Sequence, residues 1–322
     1  MAHERRAAFL RAVKWVRNVV SYAPDLILSK QWSPHSRLAI KGDGAPWVLN
    51  TIASELRAVC HGLDINTVHE RFAGVMREQC VFHTSKYSLL PWKHSANRLA
   101  FAYFHGDPAI DPDCRPLLRS IEKNHSAISR IWVSNSRIQE VILETGIRED
   151  KVFRIPISVD IEKFSKVNLG SRKNARKALN IPPEAFVIGS FQKDGVGMGS
   201  GSQPKLIKGP DVFLRTLESV RRDIPNLFVL LTGPARGYVR AGLEELSIPY
   251  RHVLVRQYCE IASCFHALDL YLVTSREEGG PRAILEAMAS GIPLVSTQVG
   301  QATDLISHEQ NGWIAGVEDV AQ

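Results

Sequence analysis

The chain has 322 residues, which is long enough for two domains that each bury a hydrophobic core. Apolar residues make up 44% of it, an ordinary share for a globular protein, and no run is long and apolar enough to cross a bilayer as a helix. Lysine and arginine number 40 against 33 acidic residues, and the net charge of +7 suits anionic partners such as nucleotide diphosphates, lipid phosphates, anionic membranes or nucleic acid.

The cysteines do not indicate a disulfide framework. They are odd in number and show no metal-ligand spacing: Cys60, Cys80, Cys114, Cys259 and Cys264. The N-terminus lacks the uninterrupted apolar core of a signal peptide. Together these features predict reduced thiols in a cytoplasmic protein.

A basic amphipathic helix is predicted over residues 5–20, where basic residues alternate with apolar ones. Such a helix either lies on the inner, anionic face of a membrane as a peripheral contact or packs on its own domain. We therefore set residues 1–36 apart as a basic N-terminal segment.

The first domain, residues 37–165, opens as strand, glycine turn and helix. A short strand over 37–40 precedes Gly42 and Gly44, and a helix is predicted over 46–60. This opening is Rossmann-like, but it lacks the full G-x-G-x-x-G pattern, so a nicotinamide or flavin cofactor is not favoured. A plain tight turn explains the two glycines equally well.

His105 and Asp107 follow the second of two strands predicted over 80–84 and 99–104. A histidine after a strand of an α/β sheet lies where ligands bind, although a histidine hydrogen-bonded within its loop is the alternative. The stretch 111–113 has the D-x-D spacing of some metal sites. Because prolines surround it, a turn is the preferred interpretation. A further strand over 130–134, a helix through 144 and a strand from 151 complete this domain, and residues 166–184 form the predicted linker.

The second domain, residues 185–322, begins with a strand over 186–191 and a glycine-rich loop that its four glycines predict to be mobile. Lys193 precedes the glycines, and Lys205 and Lys208 follow them. No G-K-[ST] follows the glycines, which excludes a phosphate-binding loop of the Walker type. The lysines are either phosphate ligands or solvated surface residues.

The stretch 268–297 is the most informative part of the sequence. It predicts a buried strand, a polar turn at 275–280, a helix with Pro281 in its first position, and a second strand that begins at Leu294. Backbone N–H groups at Gly279 and Gly280 and the helix dipole make an anion site suited to phosphate, and glycines allow a ligand close to the backbone.

Two carboxylates flank that anion site. Glu278 lies in the turn, and Glu286 lies inside the helix with a side chain that leans back toward its N-terminus. A carboxylate beside bound phosphate would repel it, so hydroxyls of a ribose or a sugar ring are the partners expected for these residues. The alternative is a solvated helix start with surface glutamates.

The pair Glu278-x7-Glu286, set between a strand that ends in SR-E and the run AMASG-IPLVST, resembles the signature of retaining glycosyltransferases of family four. The resemblance implies the GT-B fold, in which two Rossmann-like α/β domains face each other across a cleft. It implies transfer of a hexose-type sugar from a nucleotide diphosphate sugar to a glycan or lipid-linked acceptor of the cell envelope, without a metal or a cofactor.

The resemblance also implies roles for individual residues. Glu286 would hold the ribose hydroxyls, and Glu278 would contact the transferred sugar. The diphosphate would be bound by Lys193 and Lys208, either of which Lys205 could replace. The donor sugar would lie near His105 or Asp107, and the sugar and diphosphate would contact Gly279, Gly280 and Gly300. Gly42 and Gly44 would line the cleft. A loop around Arg256 and Tyr258 would receive the base.

Two other interpretations remain at this stage. One keeps the fold as a nucleotide-sugar-binding but catalytically idle subunit of a glycan assembly complex, which a turnover assay distinguishes. The other is a nucleic-acid-binding protein, but no recognition motif of that class stands out. Relatives of this family continue through helices beyond the point where this chain stops, so we expect either a fragment or an unusually short second domain.

Overall fold

A computed structural model describes residues 38–42, 48–68, 80–83, 98–197, 199–255 and 257–321. The chain divides into two compact units. The first consists of Met1–Ala102 and Ser120–Ile131, and the second of Tyr103–Arg119 and Trp132–Gln322. Strands paired in parallel occur in both.

The first sheet has the strand order β2-β1-β3-β4-β5-β6. Its elements and the helices between them are β1 (Leu38–Lys41), α1 (Val48–Gly62), β2 (Thr67–Val68), β3 (Cys80–His83), β4 (Arg98–Ala102), a 3₁₀ turn (Pro112–Cys114), α2 (Arg115–Asn124), β5 (Ile128–Val133), α3 (Ser136–Leu143), a second 3₁₀ turn (Glu149–Lys151) and β6 (Val152–Arg154). Strand β1 pairs in parallel with β2 and β3, and β3 pairs in parallel with β4. The strand order therefore reverses next to β1, and Gly42 directly follows that strand.

The second sheet has the strand order β12-β11-β10-β7-β8-β9. The elements from there on are α4 (Leu169–Leu179), β7 (Phe186–Ser190), a 3₁₀ turn (Leu206–Lys208), α5 (Pro210–Val220), β8 (Leu227–Thr232), α6 (Gly237–Glu245), β9 (Tyr250–Val253), α7 (Glu260–His266), β10 (Leu270–Val273), α8 (Arg282–Ala289), β11 (Leu294–Thr297), α9 (Ala302–Leu305) and β12 (Trp313–Ala315).

This order is that of a doubly wound Rossmann sheet, and its reversal lies between β7 and β10. Ligands of such sheets bind outside the carboxyl ends of the strands at that reversal. The loops that follow β7 and β10 are therefore where this topology places a ligand.

Helices cover both faces of the second sheet. Strand β8 is buried along its whole length, and its successive side chains enter two different hydrophobic clusters. Phe228 and Leu230 pack in the cluster that contains Phe265 and Tyr271, whereas Val229 packs in the other. Alternation along one strand separates the two faces of a sheet, so both faces are closed to water, as a parallel sheet requires.

The predicted linker, residues 166–184, contains the helix α4. Asn168 and Ser171 form a capping box at the start of α4. Arg176 of that helix is buried and donates to Asp269 Oδ2 at 2.6 Å, next to β10. The domain limits at 165 and 185 stay a prediction.

Most predicted elements of the second domain are present, with one small difference at the key helix. Pro281 was expected in the first helical position but is the N-cap residue, and α8 begins at Arg282. Residues 5–20, Gly44 and Arg256 lie outside the described residues. None of the helices in the described parts of the chain is long and apolar enough to cross a membrane.

Candidate functional site

The turn after β10 brings Glu278 into contact with Lys208. Lys208 Nζ lies 2.6 Å from Glu278 Oε2, and only 23% and 12% of the two side chains are exposed. The Ser275 hydroxyl donates to Glu278 Oε1 at 2.9 Å. Two residues that the sequence predicted to act on the substrate therefore meet at the reversal point of the second sheet.

The position of Lys208 is fixed by the turn it rests on. The N–H of Arg276 donates to the carbonyl of Ile207 at 2.9 Å, and the Thr274 hydroxyl donates to the carbonyl of Gly209 at the same distance. Gly209 has φ +61°, and a Cβ there would lie 1.9 Å from the Thr274 carbonyl oxygen, so only glycine fits. The Arg276 guanidinium also binds both oxygens of Asp211, at 2.9 and 2.7 Å.

Gly279 is packed against the chain's own backbone. A Cβ at this position would lie 2.2 Å from the carbonyl oxygen of Phe104. Its own carbonyl accepts a hydrogen bond from the Ser134 hydroxyl at 2.8 Å and a second from the Asn135 amide. The glycine is therefore required for close packing within the protein, and the predicted contact of its backbone with a ligand stays a prediction.

Gly280 and Gly300 are also packed so closely against other parts of the protein that a Cβ would overlap neighbouring atoms. A Cβ at Gly280 would lie 2.6 Å from Ile157 Cδ1, and one at Gly300, which has φ +50°, would lie 2.4 Å from the Glu278 carbonyl oxygen. Next to Gly300, the Gln301 amide both accepts from and donates to the backbone of Ile157, at 2.9 and 3.0 Å. The glutamine thus fixes the backbone of Ile157, whose side chain packs against Gly280.

Replacing Asn135 by alanine is expected to lower the free energy of unfolding by about 2 kcal/mol. Its Oδ1 caps α3 by accepting from the N–H of Ile138 at 2.9 Å, and its Nδ2 holds the Gly279 carbonyl. A lost cap costs about 1 kcal/mol, and a lost buried hydrogen bond costs about as much again. Urea unfolding measures the change. Asn168→Ala, which removes only the cap of α4, is the matched control, and an equal loss in both variants would contradict a role for Asn135 at Gly279.

Glu286 is buried and already holds a hydroxyl group. Only 4% of the residue is exposed, its Oε1 accepts from the Tyr258 hydroxyl, and Arg282 Nε lies 3.8 Å from the same oxygen. Burial raises the pKa of Glu286, while the hydrogen bond from Tyr258 and the charge of Arg282 act in the opposite direction. The arrangement suits a carboxylate that binds hydroxyls in a site shielded from water.

Tyr271 lies close enough to both Glu278 and Glu286 for their charges to affect its pKa. It lies on β10, fully buried, and its hydroxyl accepts the N–H of Phe191 at 3.1 Å. Burial raises the pKa of Tyr271, and the negative charges of Glu286 and Glu278 raise it further. Both glutamates therefore lie within electrostatic range of one side chain beneath the end of the strand.

The glycine-rich loop after β7 is held by a buried ion pair. Asp194 and Arg236 are both about 1% exposed, and Arg236 Nε lies 3.0 Å from Asp194 Oδ1. The N–H of Lys205 donates to the Asp194 carbonyl at 2.7 Å, and that of Val196 donates to Gln203 at 2.9 Å. The sequence predicted a mobile loop from its glycines, but the two arms of this loop are hydrogen-bonded to each other.

The three predicted lysines of this region lie close together. Burial lowers the pKa of Lys205, and the neighbouring charges of Lys208 and Lys193 lower it further, while Glu278 acts in the opposite direction. The Gln192 amide donates to the Lys208 carbonyl at 3.0 Å and so ties the end of β7 to the same turn. The grouping is electropositive, with Glu278 as its nearby counter-charge.

The loop that contains His105 and Asp107 is fixed by Glu277. Glu277 Oε1 accepts the N–H groups of Gly106 and Asp107 at 2.6 and 2.7 Å. The Asp107 carboxylate is bound on both oxygens by Arg137, at 2.7 and 3.2 Å, and this contact lowers the pKa of Asp107. His105 is half-buried. Asp107 therefore has a protein partner, and its predicted contact with substrate stays a prediction.

Most of the predicted residues of the second unit gather around the turns after β7 and β10. Gly42 lies in the first unit at the end of β1. The sequence interpretation missed several residues that fix the site: Asp194, Asp211, Arg236, Arg276, Glu277 and Asn135. Only Asn135 had a local signal, as a capping residue before a predicted helix.

Residues 197–322 match the family model described as "Glycosyl transferases group 1". This match covers every strand of the second sheet except β7, together with the 206–209 turn and the whole Glu278 to Glu286 segment. These residues form a glycosyl transferases group 1 domain. The predicted family resemblance is confirmed.

Curated relatives of the group 1 domain extend the likeness toward the N-terminus. The chain is 27% identical over 276 residues to a D-inositol 3-phosphate glycosyltransferase of Corynebacterium urealyticum, covering 80% of this chain and 61% of the relative. It is 25% identical over 213 residues to the lipopolysaccharide core biosynthesis mannosyltransferase LpsB of Rhizobium meliloti, covering 62% and 56%. The chain thus spans somewhat more than half the length of these relatives.

A solved structure matches the group 1 domain together with the preceding sheet. The crystal structure of HepE from Anabaena in complex with UDP and glucose superposes with a TM-score of 0.66 at 17% identity, over 89% of this chain and 87% of that one. A second HepE structure, in complex with UDP-glucose, gives a TM-score of 0.65 at 18% identity, over 87% and 85%. The predicted fold class, two parallel-sheet Rossmann-like α/β domains of the GT-B type, is confirmed.

Proposed function

We propose that this protein is a retaining glycosyltransferase that moves a hexose-type sugar from a nucleotide diphosphate sugar to a glycan or lipid-linked acceptor. The observation that carries the proposal is the contact of Lys208 with Glu278 at the strand reversal where α/β sheets bind ligands. A cation for phosphate and a carboxylate for sugar hydroxyls lie side by side there. Glycosyltransferase relatives and neighbours that bind UDP and UDP-glucose support the same class of donor.

The leaving group of such a reaction is a nucleoside diphosphate, whose negative charge grows as the bond to the sugar breaks. Lys208, Lys193 and Lys205 supply positive charge at this place, and the N-terminus of α8 adds backbone N–H groups. In this proposal these groups neutralise the diphosphate, and no metal or cofactor acts on it. The Glu278 carboxylate would give up part of its contact with Lys208 and bind a hydroxyl of the transferred sugar.

The nucleoside half of the donor would lie near Glu286. A ribose diol offers two hydroxyl donors to one carboxylate, and the Tyr258 hydroxyl now occupies Glu286 Oε1 in the way a ribose hydroxyl would. Burial at this position strengthens such hydrogen bonds because water does not compete for them. A uridine diphosphate sugar is the first donor to test, since the structural neighbours bind UDP.

The acceptor and the location of the protein are proposed more coarsely. The relatives include an inositol phosphate glycosyltransferase and a mannosyltransferase of lipopolysaccharide core biosynthesis, which supports an acceptor of the cell envelope made at the inner face of the membrane. The net charge of +7 suits an anionic acceptor or an anionic membrane surface. Basic residues 5–20 would provide the peripheral contact.

The proposal predicts that a matching donor stabilises the folded chain. At a donor concentration of 100 times its dissociation constant, the free energy of unfolding should rise by about 2.7 kcal/mol. Thermal unfolding with UDP, GDP, ADP, dTDP and CMP sugars measures this, and selective stabilisation by one base identifies the nucleotide. Sugar transfer to glycan acceptors is then assayed with that donor. Stabilisation without turnover would leave a sugar-binding subunit, and no stabilisation by any donor would remove the proposal.

A further inference from the structure

His105, Asp111 and Glu277 converge in the second unit. One ligand atom of each, an imidazole nitrogen or a carboxylate oxygen, lies within 4.8 Å of the other two. Asp111 ends the loop that follows β4, and Glu277 immediately precedes Glu278 in the turn after β10. His105 and Asp111 belong to one loop and Glu277 to a distant turn, and the fold brings their donor atoms to one point.

Glu277 has one oxygen in use and one without a partner. Oε1 accepts the N–H groups of Gly106 and Asp107 at 2.6 and 2.7 Å. Oε2 is buried and has no hydrogen-bond partner among the residues that the structure describes. The residue is only 6% exposed. A buried carboxylate oxygen without a partner is costly, and such a group calls for a ligand or an ion.

The charges around the cluster favour a cation there. Two carboxylates at this separation repel each other unless a positive charge lies between them. Among the described basic side chains nearby, Arg137 is bound to Asp107, and Lys208 is bound to Glu278. The charge of Asp111 raises the pKa of Lys205, but burial and the positive charges of Lys208 and Lys193 lower it.

The geometry points to a divalent cation site formed by His105, Asp111 and Glu277, of the kind that takes Zn²⁺, Co²⁺ or Mn²⁺. One imidazole and two carboxylates form a mixed nitrogen and oxygen donor set that suits first-row transition ions more than Mg²⁺ or Ca²⁺. Three protein ligands leave further coordination positions for water. An imidazole that binds a metal through one nitrogen keeps its second nitrogen for another partner.

The cation would join the loop after β4 to the turn after β10 and so position His105 and Glu278. It stays apart from the diphosphate, which the proposed function assigns to the lysines. Asp113 is not part of the set. Asp111 caps the 3₁₀ turn Pro112–Cys114 by accepting the N–H of Asp113 at 3.2 Å, which confirms the predicted turn, and Asp113 is exposed.

The test is a titration of the full chain, free of any affinity tag and treated with chelator, with Co²⁺ in the absence of any nucleotide sugar. We expect visible d–d absorption bands that saturate at one equivalent and that Zn²⁺ displaces. Glu277→Gln keeps an oxygen for the two backbone N–H groups, and Asp111→Asn keeps the cap. Each should weaken Co²⁺ binding at least about tenfold, because each removes a charged ligand. Asp113→Asn makes the same charge change outside the set and should bind as the wild type does.

Several results would overturn the site. These are no saturable Co²⁺ spectrum, equal affinity in wild type and Glu277→Gln, or equal loss in Asp113→Asn. Circular dichroism and thermal unfolding confirm that the variants fold, and Asp111→Asn, at a partly exposed position, keeps the test valid if Glu277→Gln does not. Because no donor is present, this outcome is independent of whether the chain transfers sugar.

Discussion

Lys208→Ala is expected to lower kcat/KM for sugar transfer by about 10²- to 10³-fold, with most of the loss in kcat. Removing one preorganised group that stabilises charge in the transition state typically has this effect. Lys208 Nζ is held 2.6 Å from Glu278 by a turn that Arg276 and Thr274 fasten, so it is in place before the diphosphate departs. Steady-state kinetics with the donor identified by thermal unfolding measures the change.

Two variants control this experiment. Lys177→Ala removes one exposed lysine from α4 and should leave kcat/KM unchanged. Lys208→Arg keeps the charge and should recover part of the rate, although a guanidinium cannot reproduce the position of the ammonium group. Full activity of Lys208→Ala would rule out the assigned role. A rise in KM with unchanged kcat would mean that Lys208 binds donor and transition state equally.

The predictions that held were those with local signals. The strand, turn and helix around Glu278 and Glu286 appear within a single stretch of sequence, because apolar runs, glycines and proline encode them directly. The wider order of the second sheet followed from the family resemblance. The resemblance also placed Lys208 and Glu278 at the same site, although no spacing in the sequence predicts that the two side chains pair.

What the sequence did not reveal depends on contacts between distant parts of the chain. Glu277 and Glu278 are adjacent and chemically identical, yet one binds the backbone of the loop after β4 and the other binds Lys208. No pattern of spacing distinguishes them, because the difference arises from the direction of each side chain in the turn. Similarly, Arg236 has no local signal as the buried partner of Asp194, and the loop that looked mobile from its glycines is attached through that pair.

The glycines of the motif illustrate the same point. From the sequence, Gly279 and Gly280 were expected to allow a ligand to lie close to the backbone. In the structure, the space for a Cβ at Gly279 is taken by the carbonyl of Phe104, and at Gly280 by Ile157. Both explanations require glycine at the same positions, so the sequence could place the residues but could not choose the reason. The structure shows one of these two reasons, which is close packing against Phe104 and Ile157.

Glu286→Gln is expected to weaken donor binding by about 10²-fold. A hydrogen bond to a charged group contributes about 1.5–3 kcal/mol, and replacing the carboxylate by an amide removes the charge and makes one of the two acceptors a donor. The dissociation constant of the nucleotide sugar, measured by calorimetry, tests this. Glu218→Gln, at an exposed position on α5, makes the same charge change and should bind donor as the wild type does.

The same substitution should change how stability depends on pH. Burial raises the pKa of Glu286 in the folded state above its value in the unfolded chain. Its contribution to the stability of the wild type is therefore fully present below the unfolded pKa and is lost as the pH rises through the raised folded pKa. The amide in the variant does not titrate, so Glu286→Gln should gain stability relative to the wild type as the pH rises from about 4 to 7. Urea unfolding across that range measures the difference.

The two results together separate binding from folding. A variant that binds donor weakly but unfolds no more easily than the wild type at neutral pH has lost a ligand contact and kept its structure. That combination is expected if the buried carboxylate is maintained at a cost to stability for the sake of a hydroxyl-bearing ligand. Weak binding accompanied by a large loss of stability at pH 7 would instead mean that Glu286 serves the fold through Tyr258 and Arg282. Unchanged donor affinity would remove Glu286 from the binding site.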